Sequence, residues 1–420
     1  MHKALVELQA RGLINQSTEL SVLSSLLEKG SSVYCGFDPT ADSLHIGSLL
    51  PLMTLKVLKE HGVHVIALVG GATGRIGDPS FKAQERQMLT EEMVDRNIAG
   101  ITSVIRKFLG SDTLIVNNHD WTKDISVLDF LRIYGKCFTV NNMISKEAVR
   151  SRIERPDQGI SFTEFTYPIL QGMDFEHLFN IGCSIQIGGS DQWGNMIAGT
   201  DLIHKMHGND AEVGVITLPL LLKSDGTKFG KSESGTVWLS PNHTSAYHMY
   251  QFWLNVTDDE MITMYQYFKP MSFSVDVVKT EMEQNVVLMK KQFAYSMTAL
   301  VHGTDKADQA YKVSQFLFGA KIELDIESIN MMVDSGMEST TIIEPIGLIS
   351  LLVETGLASS NKMAREFITN GAAKINGRKI NEFYDPVQYE FTEDVDIYDN
   401  RYFVLQRGRD NFVIIRNGRI

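Results

Sequence analysis

Cysteine is scarce in this chain, with only three among 420 residues. Cys35, Cys137 and Cys183 lie far apart and lack the close spacing that is typical of metal ligands. Because an odd number of cysteines cannot all pair within one chain, the count also argues against a disulfide framework. The sequence therefore predicts reduced thiols, as in cytoplasmic proteins.

Long apolar runs are also missing. No stretch is long enough to span a bilayer, so we expect no membrane segment. The first residues, MHKALVELQARGL, mix charged and apolar residues and lack a secretory core or cleavage site. These two observations favour a cytoplasmic location.

Basic residues are outnumbered, with 39 Lys and Arg against 51 Asp and Glu, which gives a formal net charge of −12. The stretch Leu351–Ile420 contains ten basic and ten acidic residues, so the whole deficit lies upstream of it. An acidic body is unfavourable for general binding to nucleic acid. Any contact with RNA must therefore use local basic patches.

Strand and helix patterns alternate through the first half of the chain. This alternation predicts an α/β fold with a Rossmann-like parallel sheet. Four glycines and a terminal proline predict a loop at Gly70–Pro79. The predicted strands are Ser32–Gly36, Val63–Val69, Leu114–Val116 and Ser184–Ile187, and the predicted helices are Leu49–Glu60 and Thr90–Leu109.

The length of the chain predicts two or three domains, because a single core rarely grows so large. Helical periodicity over Thr244–Phe318 predicts a helical subdomain, and Tyr402–Gln406 and Phe412–Ile415 look like strands. The predicted boundaries are a Rossmann-like catalytic domain at 1–222, a lysine loop with the helical subdomain at 223–322, an irregular linker at 323–345 and a small α+β domain at 346–420.

A candidate nucleotide-binding segment, CGFDPTADSLHIGSLLPL, lies between the first predicted strand and its helix. The N-terminus of that helix offers free backbone N–H groups and a positive dipole end to a phosphate. Thr40 and His45 add side-chain donors, while Gly36 and Gly47 leave room for a base or ribose. An isolated histidine at a helix start is more often structural, so the context has to decide.

A second candidate phosphate-binding segment, KSDGTKFGKS, occupies residues 223–232. A turn and Gly230 make it a loop that can move, and Lys228 and Lys231 have stems long enough to reach a pyrophosphate. A loop rich in lysine is usually just solvated surface. Its occurrence after the first segment favours the functional interpretation.

A polar stripe runs along the predicted helix within SFTEFTYPILQGMDF. Tyr167, Gln171 and Asp174 are spaced i, i+4 and i+7 and so share one helix face. The simpler interpretation is a helix edge that touches solvent. The functional interpretation is a pocket for a ligand with an ammonium group and a hydroxyl group, with a second hydroxyl contact from Tyr34.

Together these segments resemble the bacterial tyrosyl-tRNA synthetases, which are class I aminoacyl-tRNA synthetases. The stretch DPTADSLHIGS is similar to their HIGH-type signature, except that Ser48 replaces the second histidine. The stretch KFGKS is similar to their KMSKS-type loop, and IGGSDQWGN is also very like the family's sequence. The resemblance covers essentially the whole chain. Tryptophan enzymes share the sheet and both phosphate motifs, but we do not expect them to combine Tyr34 with Asp174.

The resemblance implies a role for each candidate residue. Tyr34 and Asp174 correspond to residues that bind the substrate phenol, and Tyr167, Asp78 and Gln171 to residues that hold its α-ammonium group. The full tyrosine-binding set implied is Tyr34, Asp78, Asn118, Tyr167, Gln171, Asp174 and Gln192. The ATP-binding set implied is Gly36, Asp38, Thr40, His45, Gly47, Ser48, Gly189, Asp191, Lys228, Lys231 and Ser232. The residues implied to stabilise phosphate charge during catalysis are Thr40, His45, Lys82, Arg86, Lys228 and Lys231.

The segment LVETGLASSNKMAREFITNGAAKINGRKI resembles a small RNA-binding fold first recognised in a small-subunit ribosomal protein. Ser359 or Ser360 is predicted to cap its helix and Gly371 to end it. Solvated surface is the default interpretation of its mixed charges; the resemblance instead implies contact with the RNA backbone. The implied tRNA-binding residues are Lys362, Arg365, Lys374, Arg378 and Lys379.

The reaction implied by the resemblance is activation of L-tyrosine by ATP, followed by transfer to the 3′ end of tRNA(Tyr) by a homodimer. Mg²⁺ is expected to arrive with ATP, because the sequence contains no dedicated carboxylate cluster and no other metal site is expected. Three alternatives stay open. They are a paralog that acts on a non-tRNA acceptor, a degenerate synthetase that only binds RNA, and another nucleotidyltransferase. Both lysines of KFGKS and the Tyr34–Asp174 pair disfavour the last two.

Overall fold

The computed structural model divides the chain into two units. The first comprises Met1–His243 with Gln266–Lys269, and the second Thr244–Tyr265 with Pro270–Ile420. Each unit is built around its own sheet. The residues that the structure describes are 1–78, 89–154, 159–222, 229–232, 235–271, 274–318, 322, 324–343, 346–380, 402–408 and 411–418.

The first unit contains a six-stranded sheet in the order β1-β6-β5-β2-β3-β4. Neighbouring strands from β2 to β6 run parallel, and the two-residue β1 is antiparallel to β6. The parallel sheet is therefore confirmed, with β1 and β6 as strands that the sequence analysis did not identify. The strands are β1 (Gln16–Ser17), β2 (Ser32–Phe37), β3 (Val65–Val69), β4 (Leu114–Asn117), β5 (Cys183–Gly189) and β6 (Gly214–Leu218), and a separate pair is formed by β7 (Lys231–Ser232) and β8 (Gly235–Thr236).

Helices connect these strands, as a parallel sheet requires. The helix predicted at Leu49–Glu60 has those bounds in the structure. The α-helices of this part are α1 (Lys3–Ala10), α2 (Leu20–Glu28), α3 (Leu49–Glu60), α4 (Thr73–Ile76), α5 (Glu91–Leu109), α6 (His119–Thr122), α7 (Val127–Asp129), α8 (Val140–Ser145), α9 (Glu147–Ile153), α10 (Phe162–Phe179) and α11 (Trp193–His207). A π-helix, Phe130–Tyr134, and 3₁₀ turns at Ile46–Ser48, Gly135–Cys137 and Ser190–Gln192 complete it.

The segment predicted as the loop Gly70–Pro79 is partly helical. It contains the single turn α4, which ends where Gly77 takes a φ of +90°. A glycine adopts that conformation without strain, so the helix stops after four residues. The high glycine content correctly predicted a break in regular structure, but it did not predict the helical turn that precedes the break.

The second unit joins helices to a five-stranded sheet in the order β11-β10-β12-β13-β9. Strand β9 runs parallel to β13, and the other pairs are antiparallel. The predicted helical subdomain and the small α+β fold are both present. The elements are α12 (Ala246–Leu254), α13 (Asp258–Phe268), α14 (Val275–His302), α15 (Thr304–Leu317), α16 (Ile326–Asp334), α17 (Leu348–Glu354), α18 (Asn361–Thr369), β9 (Ser339–Ile342), β10 (Ala373–Ile375), β11 (Arg378–Lys379), β12 (Tyr402–Arg407) and β13 (Asn411–Asn417).

The stretch 323–345, predicted as an irregular linker, contains helix α16 and strand β9. Asp325 caps α16 by accepting a hydrogen bond from the backbone N–H of Ser328 at 2.8 Å. Strand β9 gains its partners from β13, far along the chain, so local sequence could not reveal it. Both faces of this sheet are covered, because Ile414 packs with Phe316 of α15 while Ile415 packs with Ile368 of α18. The sheet of the C-terminal part therefore begins before residue 346.

No helix in the described part of the chain is long and apolar enough to cross a membrane.

Candidate active site

A cavity of about 430 Å³ opens at the carboxyl ends of β2 and β5 in the first unit. This is where an open parallel sheet places its ligands, because connecting helices diverge there. The cavity brings together residues from distant parts of the sequence. The predicted site residues that line it are Tyr34, Gly36, Asp38, Thr40, His45, Gly47, Ser48, Asp78, Tyr167, Gln171, Asp174, Gly189, Asp191 and Gln192.

Asp174 of α10 lies at the inner end of the cavity and is 4% exposed. Its Oδ2 accepts a hydrogen bond from Asn118 Nδ2 at 2.9 Å, and its Oδ1 accepts one from Trp121 Nε1 at 3.0 Å. Burial raises the pKa of this carboxyl to about 7, although both hydrogen bonds favour the charged form. Asn118 is fully buried behind Asp174 and is not among the lining residues, so it orients the carboxylate from behind.

The hydroxyl of Tyr34 is buried beside this carboxylate and has no hydrogen-bond partner among the described residues. Burial, and then the negative charge of Asp174, raise the pKa of this phenol well above its ordinary value. A buried hydroxyl without a partner costs free energy. A ligand hydroxyl between Tyr34 and Asp174 would remove that cost.

A chain of hydrogen bonds runs from Asp38 to the Asp174 end of the cavity. The Tyr167 hydroxyl donates to Asp38 Oδ2 at 2.9 Å, and the Thr73 hydroxyl donates to Asp38 Oδ1 at 2.7 Å. Asn118 Nδ2 donates to Thr73 Oγ1 at 3.0 Å. This network fixes the rotamers of the lining residues, as a selective site requires.

Acceptor oxygens concentrate on one wall of the cavity. Gln192 Nε2 donates to Asp78 Oδ2 at 2.9 Å, which fixes the Asp78 carboxylate. Gln171 Oε1 is buried and has no partner within the described residues. The carboxylates of Asp38 and Asp78 with this amide oxygen form a set of acceptors suited to an ammonium group.

His45 shapes another part of the cavity wall. It caps the 3₁₀ turn Ile46–Ser48, and its Nδ1 accepts a hydrogen bond from Gly47 N at 3.0 Å. A Cβ at Gly47 would lie 2.7 Å from the imidazole ring. Only glycine therefore lets the ring fold back over the start of the helix, while Ser48 lines the cavity beside it.

The first signature segment contacts the second one and also pairs with the residues that follow it. Ile46 N donates to Val237 O at 2.9 Å, and Leu239 N donates to Leu44 O at 2.8 Å. Gly230 of the second segment has a φ of +96°, and a Cβ there would lie 2.1 Å from Ile46 Cγ2. The sequence analysis did not anticipate this pairing, although the apolar run VWL after the loop was a signal for it.

Some predicted residues have no described side chain. Lys82, Arg86 and Lys228 lie outside the described residues. For Lys231 and Ser232 the structure describes only the backbone, as strand β7 paired with β8. In the second unit Lys362, Arg365, Arg378 and Lys379 are exposed and Lys374 is half-buried.

Three of the residues that the sequence analysis missed shape the cavity or hold its side chains. Gln186 lies beside Tyr34 in the sheet, is 4% exposed, and has an Oε1 without a partner among the described residues. Its signal was a lone amide in the otherwise apolar strand SIQIG. Thr73 and Trp121 act through Asp38 and Asp174, a role that only the three-dimensional arrangement reveals.

No group of three or more His, Cys, Asp or Glu within the described ranges is arranged to hold a metal ion.

The family described as tRNA synthetases class I (W and Y) matches residues 27–319, which is well over half of the chain. The chain belongs to this family of class I aminoacyl-tRNA synthetases. A second model, the tyrosine–tRNA ligase SYY-like C-terminal domain, matches residues 328–415 and so begins inside the predicted linker.

The relatives identify the amino acid. A tyrosine–tRNA ligase 2 of Bacillus cereus is 42% identical over 98% of this chain and 99% of its own length. The tyrosine–tRNA ligase of Ligilactobacillus salivarius is 43% identical over the same shares of the two chains. The chain acts as a tyrosine–tRNA ligase, and none of these comparisons favours the non-tRNA acceptor or the RNA-binding paralog.

Solved structures agree with the fold. A C-terminally truncated mitochondrial tyrosyl-tRNA synthetase of Aspergillus nidulans matches with a TM-score of 0.66 and 29% identity, over 75% of this chain and 94% of its own. The tryptophanyl-tRNA synthetase of Encephalitozoon cuniculi, bound to tryptophan, matches with a TM-score of 0.53 and 15% identity, over 73% of this chain and 87% of its own. The second likeness shows the shared fold alone.

The raised pKa of Asp174 predicts a pH-dependent stability. An unfolded Asp titrates near 3.8, whereas folded Asp174 titrates at about 7, so the folded protein holds the extra proton between these values. The contribution of Asp174 to the free energy of unfolding is therefore largest below the unfolded pKa and is lost as the pH rises to about 7. Between these two values the free energy of unfolding falls by up to about 1.4 kcal/mol per pH unit.

Asp174→Asn removes this titration. We therefore expect the free energy of unfolding of the unmodified protein, relative to that of the variant, to fall between pH 5 and pH 7 and to level off above pH 8. Urea unfolding of both proteins at each pH measures the difference, in which the titrations of other groups cancel. A difference that does not change with pH would mean that the carboxylate is ionised throughout.

Proposed function

We propose that the cavity binds L-tyrosine with its phenol hydroxyl between Tyr34 and Asp174. The observation that carries this proposal is the buried Tyr34 hydroxyl, which lacks a partner among the described residues and lies next to a carboxylate held by two donors. The substrate hydroxyl donates to Asp174 and accepts from Tyr34. Phenylalanine would leave both groups without this partner, and unpaired buried polar groups are costly. This same enzyme family is a known example of an enzyme that rejects phenylalanine without an editing step.

The α-ammonium group of tyrosine would bind at the acceptor wall. Asp78, Tyr167 and Gln171 surround this end of the cavity, and Gln171 Oε1 gains a donor when the ammonium group arrives. Asp38, predicted from the resemblance to bind ATP, accepts from Tyr167 and adds negative charge here. Gln192, which donates to Asp78, would contact the amino-acid backbone, as the family resemblance implies.

ATP would bind along the wall formed by Gly36, Thr40, His45, Gly47 and Ser48, with Gly189 and Asp191 at the ribose. The tyrosine carboxylate attacks the α-phosphorus, and the bond to pyrophosphate breaks. The 3′-terminal ribose of tRNA(Tyr) then attacks the mixed anhydride and releases AMP. Catalysis is positioning and stabilisation of phosphate charge, so no covalent enzyme intermediate is required.

Charge on the leaving pyrophosphate would be met by the basic residues of the two phosphate-binding motifs and by Mg²⁺ that arrives with ATP. Thr40 and His45 lie on the cavity wall. The assignment of Lys228, Lys231 and Ser232 rests on the resemblance of KFGKS to the family's loop, and that of Lys82 and Arg86 on their resemblance to basic residues that follow the glycine-rich loop in the family. Ammonium groups that meet charge only in the transition state raise kcat without tightening ATP binding.

Tyr34→Phe tests the tyrosine pocket. Because the hydroxyl has no partner among the described residues, its removal should leave stability unchanged or raise it by up to about 1 kcal/mol, while tyrosine affinity falls about 5- to 10-fold. Equilibrium dialysis with tyrosine and urea unfolding measure the two quantities. Tyr295→Phe, whose hydroxyl donates to Asp308 at 2.8 Å outside the first unit, is the matched control. Unchanged tyrosine affinity in the Tyr34 variant would contradict the proposed pocket.

We propose that the exposed basic residues around α18 bind the tRNA backbone. Ser360 caps α18 and Gly371 takes a φ of +70° after it, as the sequence predicted. Lys374 and Lys379 are directly opposite each other on the paired strands β10 and β11. Clustered Lys and Arg side chains of this kind are suited to contact with a phosphate backbone, and such contacts weaken as the salt concentration rises.

We also propose that the protein acts as a homodimer in the cytoplasm. Large apolar side chains are unusually exposed along residues 127–162, where Val127 is 74% exposed, Leu128 78% and Phe162 72%. Scattered exposed apolar residues are ordinary, but a concentration of them is typical of an interface. The others in this stretch are Leu131, Ile133, Val140, Ile144 and Ile153.

Leu128→Glu and Phe162→Glu test the dimer. A charge placed in a buried apolar interface is costly, so each variant should sediment as a monomer at concentrations where the unmodified protein is dimeric. Ile181→Glu, at a position that is 56% exposed and lies outside this stretch, is the control and should leave the dimer intact. A dimer that survives both changes would place the interface elsewhere.

A further inference from the structure

Trp121 holds one oxygen of Asp174, and its own orientation has a separate source. Its indole lies 4.2 Å from the imidazole of His177, centroid to centroid, with the two rings only 12° from parallel. His177 follows Asp174 by three positions on α10, so both side chains project from one helix face. One helix thus supplies both the carboxylate and a ring that lies flat against the donor to that carboxylate.

The two donors to Asp174 are anchored differently. Asn118 is tied to the sheet, because its backbone N donates to Val69 O at 3.1 Å and its Oδ1 accepts from Ala72 N at 2.7 Å. Trp121 belongs to the four-residue helix α6, packs partly buried against the apolar core, and stacks on His177. A single turn of helix fixes a side chain weakly, so the stack contributes to the direction of the indole N–H.

We propose that His177 is a positioning residue that acts through Trp121 on Asp174 and so helps to set the preference for a phenol hydroxyl. The inference rests on the proposed tyrosine pocket. Without the stacked ring the indole can rotate away, and Asp174 Oδ1 loses its donor. The carboxylate then no longer has one fixed direction for the substrate hydroxyl, while the wall proposed to bind ATP is untouched.

The kinetic consequence is specific. His177→Ala should raise the KM and the dissociation constant for tyrosine about 3- to 10-fold, which is the range of an aromatic stack, with little change in kcat or in the KM for ATP. The ratio of kcat/KM for tyrosine to that for phenylalanine should fall by a similar factor. His177→Phe keeps a flat ring on the indole and should restore both quantities.

A matched control is available at His207. This histidine lies near the same helix, with its Nε2 2.8 Å from Glu176 Oε1 and its ring 5.2 Å from that of Phe179, and it has no stack on Trp121. His207→Ala should therefore leave tyrosine binding unchanged even where it lowers the melting temperature. A purely structural role for His177 would instead lower stability and leave the tyrosine-to-phenylalanine ratio unchanged.

The deciding experiment is a double-mutant cycle on the full-length protein, measured by tyrosine equilibrium dialysis and by pyrophosphate exchange with tyrosine and phenylalanine. His177→Ala should add nothing to Trp121→Phe, because both act on one hydrogen bond. Independent, additive effects would overturn the inference, as would normal tyrosine binding by His177→Ala. If Asp174→Asn also left the tyrosine-to-phenylalanine ratio unchanged, the pocket itself would be wrong; a lowered ratio in that variant alone would reject only the role of His177.

Discussion

Gly230→Ala should slow tyrosyl-adenylate formation by about 10²- to 10³-fold. The substitution forces a Cβ to within 2.1 Å of Ile46 Cγ2 and places a side chain at a φ of +96°. Backbone strain and the displaced contact each cost roughly 1–3 kcal/mol, and the displacement moves the two signature segments relative to each other. Pre-steady-state measurement of adenylate formation tests this, with tyrosine affinity expected to change little.

A second substitution separates the two causes. In Ile46→Ala the Cγ2 atom is absent, so among the described residues the nearest atom to a Cβ at position 230 is the Ile46 Cβ at 3.5 Å. The double variant Gly230→Ala, Ile46→Ala should therefore be less impaired than the two single effects together, by a coupling energy of about 0.5–3 kcal/mol. Additive effects would show that the loop conformation alone, and not the contact with Ile46, limits the reaction.

Asp174→Asn should abolish most of the preference for tyrosine over phenylalanine. The amide can accept with only one of its two heavy atoms, so either Asn118 or Trp121 loses its acceptor, and the substrate hydroxyl loses a charged one. Hydrogen bonds to charged groups are worth about 1.5–3 kcal/mol, so kcat/KM for tyrosine should fall roughly 10²-fold.

Phenylalanine provides the internal control for this variant. Its kcat/KM should change little, because it never contacted the carboxylate, and the KM for ATP should be unchanged. Pyrophosphate exchange with each amino acid measures both. An equal loss for tyrosine and phenylalanine would mean that Asp174 supports the fold of the pocket and does not select the hydroxyl.

The parallel sheet was predictable because its strands are buried on both faces and are therefore apolar runs between helices. Strand β9 was not, because STTI carries little apolar pattern and becomes a strand only through β13. Helix α16 was missed for a related reason: its nine residues are short, and their burial comes from packing against the sheet. The local sequence therefore predicted the elements that have a clear apolar pattern of their own. It missed the elements that form only through contacts with distant parts of the chain.

The cavity-lining residues were predictable where they occur in signature segments or at regular helical spacing, as at Tyr167, Gln171 and Asp174. The residues that hold them in place were not predictable, because Thr73 and Trp121 act through Asp38 and Asp174, which are distant in sequence. Gln186 was predictable only in part. The sequence shows an amide within an apolar strand, but only the strand register shows that this amide lies beside Tyr34. Sequence therefore indicated which groups face the ligand better than which groups hold them.

The buried polar atoms of the cavity have a consequence for inhibitor design. Three of them, Tyr34 Oη, Gln171 Oε1 and Gln186 Oε1, have no partner among the residues that the structure describes. A compound that fills the cavity with hydrocarbon gains apolar burial but leaves these atoms without solvent or partners. A compound that donates to the two amide oxygens and accepts from the phenol provides the missing hydrogen bonds, so its binding free energy becomes more favourable. Polar atoms at these three positions should therefore contribute more to potency than added apolar bulk.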